Sequence, residues 1–196
     1  MAKFVSKKIS IIILFVLLSS ALLAANKEYK NMHESHHGSH GNHKHDEVNM
    51  PGLQGKDTTE AEVNDLKNIF KNHKKIKREV VNIENGIKTI TESKDEKVRQ
   101  SVIDHVTMMV TRMQEGKNPE VMIQSPTLTK LFDYYQEIDT EIELSDDGIA
   151  LIQTSKNPKV VELLQKHASE INDMVDRGMQ AVHERMMRSK IIKQKN

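Results

Sequence analysis

The chain has 196 residues, 37% apolar and 29% charged, with a formal net charge of +1, which is room for one domain or two small ones around a modest core. The absence of Cys excludes disulfides, thiolate metal sites, thioether-attached haem and cysteine nucleophiles. The near-zero charge, the 4% aromatic content and the lack of Trp argue against a basic, base-stacking nucleic-acid surface.

Residues 1–25 read as a signal peptide. Lys3, Lys7 and Lys8 form a positive start, Ile9 to Leu18 is apolar apart from Ser10, and Ser19 to Ala25 is a small-residue end. Cleavage would send the chain to the periplasm or outside the cell and, with three Lys removed, leave a net charge of −2. An uncleaved anchor is the alternative, because an apolar run of about 17 residues is near the lower limit for a spanning helix. Membrane contact is expected only through this segment. No Cys follows it, so the usual bacterial lipid attachment is not expected.

Residues 26–57 read as a disordered, His-rich linker. Its Asn31–Asp46 tract holds His33, His36, His37, His40, His43 and His45 with Gly and Ser between them, too little apolar surface for a core. Six imidazoles on a flexible segment can wrap Cu(II), Zn(II) or Ni(II). The bland alternative is a solubilising linker. Met50 to Thr59 is a turn-rich connector.

A single domain is expected over 58–187. Thr59 with Glu62 three residues on forms a capping box, and the helix it opens aligns Val63, Leu66, Phe70, His73, Ile76 and Val80 on one face. Asn85-Gly86 between β-favouring runs predicts a hairpin with a type I′ turn. Ser93 is the expected cap of the next helix, which aligns Val98, Val102, His105, Met109 and Met113. The same order returns 62 residues later. Ser125-Pro126 opens a helix reaching Tyr135, Ile138 and Ile142, Asp147-Gly148 makes a turn, and Ser155 caps a helix carrying His167 that continues through Gly178 to Met187. Aligning 66–117 on 128–179 gives thirteen identities in fifty-two positions, most at turn, cap and core sites; Glu79/Glu141 and His105/His167 are polar exceptions. The expected fold is α+β: two tandem αββα repeats, 58–118 and 125–187, whose hairpins form a four-stranded antiparallel sheet with helices on one face. Residues 188–196 are expected to form a basic, frayed tail.

Met50-Pro51-Gly52-Leu53-Gln54-Gly55-Lys56-Asp57-Thr58-Thr59, Asn72-His73, Asn85-Gly86-Ile87, Gln124-Ser125-Pro126-Thr127-Leu128, His167-Ala168-Ser169-Glu170, Arg177-Gly178-Met179 and Ala181-Val182-His183 resemble a family of exported bacterial proteins with a His-rich N-terminus. The resemblance spans about residues 46–187. It implies export and one duplicated domain, and it implies no activity, cofactor or site.

Three constellations can carry chemistry. His73, His105, Tyr135 and His167 fall on inward stripes, where imidazoles can ligate copper or zinc, or hold a non-covalent haem; the competing expectation is that each His bonds a core carbonyl. Met109 and Met113 follow His105 at four-residue steps, and Met179, His183 and Met187 share a helix face; thioether with imidazole suits Cu(I), and core filling is the alternative. Glu79 and Glu141 end helix-to-hairpin junctions as acid/base candidates or plain surface residues. No phosphate loop, nucleophile elbow or zinc-protease helix occurs, so a binding protein is expected before an enzyme. The functional expectation is an exported protein that binds or delivers a transition metal, copper foremost. A haem or metal oxidoreductase centred on His105 and His167 is the second expectation, and a non-catalytic module binding another envelope protein the third.

Overall fold

Alternation decides the strands. In β1 (Ile76–Ile83), Ile76, Arg78 and Val80 point inward, while Lys77, Glu79 and Val81 are exposed on the other face. In β2 (Gly86–Ser93), Ile87, Thr89, Thr91 and Ser93 are buried and Lys88 is exposed. β3 (Asp139–Ser145) is an exposed edge strand with only Thr140 half-buried, whereas in β4 (Gly148–Thr154) Ile149 and Gln153 are buried. The computed structural model, which describes residues 50–195, joins these into one antiparallel sheet of order β1-β2-β4-β3. Helices cover one face, so the fold is α+β as expected. The signal segment and the His33–His45 tract lie outside the described residues.

The hairpins form where expected but not with the expected turn. Glu84-Asn85 and Asp146-Asp147 are the central turn residues, and the paired ends are Ile83 with Gly86 and Ser145 with Gly148. Neither Asn85 nor Gly86 is in the left-handed region, so the turn is not type I′. Gly86 is required for another reason: a Cβ there would lie 1.9 Å from the Gln153 carbonyl oxygen, and one at Gly148 would lie 2.0 Å from that of Thr91. Each turn glycine therefore lets β2 and β4 approach at the centre of the sheet.

Helix α1 (Glu60–Lys71) starts on the Thr59–Glu62 capping box. It stops earlier than the apolar stripe suggests, at Asn72. A one-turn 3-10 helix (His73–Lys75) then turns the chain into β1, so Ile76 and Val80 are strand residues. Likewise α3 (Pro126–Asp133) ends before Tyr135, and Ile142 belongs to β3. Asp95, not Ser93, caps α2 (Glu96–Gln114), accepting from the Lys97 and Val98 amides. Asn157, not Ser155, caps α4 (Pro158–Arg177). Ser93 instead donates to the Lys75 carbonyl and accepts from the Asp95 amide, holding the strand end under the helix start. α4 stops at Gly178, whose φ is +59°, and α5 (Met179–Lys195) is a separate helix. Positions 188–195 are thus helical rather than a frayed tail.

Helix α4 packs on β1 and β2, and α2 on β2 and β4; α1 packs on α2, and α3 on α4. The last helix of the second half therefore covers the hairpin of the first. Part of the segment assigned to the linker also joins the domain. Leu53 is wholly buried among Val63, Phe70 and Val182, and the Lys56 amide donates to the Pro119 carbonyl at 2.6 Å. Burying one Leu contributes about 2 kcal/mol toward holding this segment on the domain.

Candidate functional site

Between the sheet and the helices lies a cavity of about 250 Å³. Its helical side includes Val102, Val106, Met109, Ile171 and Val175. Its sheet side mixes Ile76, Ile87, Ile149 and Leu151 with the polar Arg78, Thr89, Thr91 and Gln153. His73, His105 and His167 all line it. Helical spacing explains the last two: His105 lies between Val102 and Met109 on α2, and His167 lies one turn before Ile171 on α4, each on its inward stripe. Tyr135, the remaining inward candidate, is not among the lining side chains. Its hydroxyl accepts from the Gln136 amide at 3.0 Å, and its ring fills the space beside Gly116.

The three imidazoles differ in what holds them. His73 Nδ1 donates to the Val175 carbonyl at 2.7 Å, which fixes the tautomer and leaves Nε2 as the acceptor. The His73 ring packs where a Cβ of Gly178 would stand, 2.8 Å away. The expectation of a core histidine bonded to a carbonyl describes this residue. His167 is different. Its Nδ1 is buried with no hydrogen-bond partner among the described residues, and so is Oε2 of Glu170. The two are 3.8 Å apart, too far for a hydrogen bond. Burial pushes the Glu170 carboxyl up, but the His167 imidazole and the Ser125 and Thr127 hydroxyls outweigh it and bring it down to about 2. His105 is held neutral: burial lowers its pKa to about 4, opposed by the Glu62 charge and assisted by His167. His167 thus acts on His105 electrostatically, though less than burial does.

The cavity also holds residues that sequence reasoning missed. Arg78 sits on the sheet side, and Arg185 of α5 reaches the cavity while donating to the Ile123 carbonyl at 2.7 Å. Burial lowers the pKa of both, that of Arg78 to about 10. The signal for Arg78 was its alternation with Ile76 and Val80, legible only once β1 is known to begin at Ile76.

The other candidates do not converge. Met179 packs beside the Leu53–Phe70–Val182 cluster, whereas His183 and Met187 are exposed. Met109 and Met113 belong to the core packing. Glu79 is exposed and paired with Lys77 at 2.9 Å, and Glu141 is exposed on the outer sheet face. Among the described residues, no group of three or more His, Asp or Glu stands close enough together to hold a metal ion. A surface groove lined by Lys75, Lys77, Lys94 and Asp95 holds charges already paired, Lys75 to Asp95 at 2.7 Å among them. No described helix is long and apolar enough to cross a membrane. In comparisons with known proteins, the chain matches no protein-family model, no curated protein and no solved structure.

Proposed function

We propose that the chain is an exported transition-metal binding or delivery protein, copper foremost, that captures the ion on the His33–His45 tract and holds it inside on His105 and His167. One observation supports the reading: a buried His167 Nδ1 that makes no hydrogen bond among the described residues, 3.8 Å from the Glu170 carboxylate, shares a cavity with an imidazole kept uncharged by burial. Metal ligation needs neutral imidazole nitrogens. A pair rather than a triad suits Cu(I), which accepts two soft or borderline ligands, and Met109 lines the same cavity one turn from His105 with a thioether in reserve. No reaction is part of the proposal. Haem held by the same two imidazoles is the second reading. Two imidazoles lining one cavity favour it, but a cofactor of roughly forty non-hydrogen atoms exceeds a cavity below the usual range for drug-sized ligands.

Equilibrium dialysis against copper and zinc tests the proposal on the mature chain, on a chain starting at Glu47, and on that shorter chain with His105→Ala and His167→Ala. Copper retained by the first two and lost from the third is the expected result. No metal on the mature chain, or core binding untouched by the substitutions, would overturn it.

A further inference from the structure

Arg78 occupies an unusual position. Its Nε donates to Asn172 Oδ1 at 3.0 Å and its Nη1 to Thr91 Oγ1 at 2.9 Å. Both partners are neutral, and no carboxylate among the described residues pairs with it. A guanidinium has five N–H donors, so three remain after these two bonds. Burial alone accounts for the fall of its pKa, with no opposing acidic neighbour. The contrast within the fold is informative. Arg112, the other inward arginine of the first half, is bidentate on Glu62, at 2.6 Å and 3.1 Å. Arg185 feels the charges of Glu170 and Asp173. A guanidinium serving only to tie β1 to α4 would gain nothing from burying its charge, because a neutral amide can make two such bonds without the desolvation penalty. Thr91, which accepts from Arg78, keeps its own hydroxyl proton to donate. The helical side of the same cavity carries Val106, Ile171 and Val175 beside His105 and His167.

A fork of free guanidinium donors beside a hydroxyl, in a cavity that also presents aliphatic side chains, is complementary to one carboxylate on a short hydrocarbon chain. We propose that this cavity binds a small apolar carboxylate, a fatty acid of roughly eight to ten carbons, with its head on Arg78 and Thr91 and its chain against Val106, Ile171 and Val175. The volume sets the length: about 250 Å³ falls just under the range of about 300–1,000 Å³ for drug-sized ligands. The inference does not rest on the metal reading, because it uses Arg78 rather than the imidazoles.

The test is calorimetry on the mature, EDTA-treated protein at pH 7.5 with three probes: sodium octanoate, 1-octanol and sodium acetate. Octanoate should bind at least tenfold more tightly than octanol, which lacks the carboxylate, or acetate, which lacks the long chain. Arg78→Met should abolish that preference, leaving octanol unchanged, and should melt no lower than the parent because an uncompensated charge has gone. Octanoate binding no tighter than octanol would overturn the proposal, as would undiminished octanoate affinity in Arg78→Met. Should that variant fail to fold, the probe comparison in the parent and the loss expected in Thr91→Val decide the matter. Metal-free conditions keep this outcome separable from that of the copper experiment.

Discussion

His105 ties the site to stability through its protonation. Its folded pKa, about 4 against 6.5, means the unfolded chain takes up the proton first. Its contribution is therefore fully present above pH 6.5 and is lost as pH falls from 6.5 to 4, by about 3 kcal/mol. Glu62 and Glu170 are lowered from 4.5 to about 2, so their contributions disappear in a second window, between pH 4.5 and 2. Urea melts of metal-free protein between pH 8 and 4 should show the first loss, and His105→Leu should flatten it; an unchanged slope in the variant would refute the assignment. Glu62 gives a second prediction. Its carboxylate closes the capping box and pairs with Arg112, both side chains about one-tenth exposed. Glu62→Ala leaves a buried guanidinium uncompensated and should cost about 3 kcal/mol. Glu79→Ala, which breaks an exposed pair with Lys77, should cost well under about 1 kcal/mol. The box was readable from Thr59 and Glu62 alone; the pairing with Arg112, fifty residues away, was not, because no local pattern records it.

At the scale of elements, boundaries follow close approach rather than periodicity. The apolar stripe from Val63 runs on through Ile76 and Val80, because an inward strand residue satisfies the same spacing as an inward helix residue for a few positions. Only the break at Asn72–Lys75 separates them. The caps moved for a similar reason: Ser93 and Asp95 both suit a helix start, and Ser93 is drawn off by the Lys75 carbonyl. Gly178 shows how elements position the site. It ends α4 at φ +59°, ψ −138°, a conformation nearly restricted to glycine, and makes room for the His73 ring. Gly178→Ala should cost on the order of 1–3 kcal/mol by thermal melting and should disturb the His73–Val175 bond, visible as a shifted His73 ring signal in NMR. A variant as stable as the parent would show that the backbone is not strained there.

At the scale of the molecule, helix α4 from the second half lies over the hairpin of the first, and β2 pairs with β4. This exchange brings His73 and Arg78 from one half to the same cavity as His167 from the other. The fold class was legible because the hairpin and helix-start signals are local. The shared cavity was legible only in part. Inward stripes identified His105 and His167, but Tyr135 shares that stripe and faces Gly116 instead, and Arg78 was hidden behind a mistaken helix end. Copper held inside by His105 and His167 is the proposed role of this cavity. A Cu(I) titration of the chain beginning at Glu47, against a chromophoric competitor, tests it most directly. The expected result is one bound equivalent whose affinity falls at least tenfold in His167→Ala; an affinity unchanged by that substitution, or no bound copper in the unsubstituted chain, would contradict it.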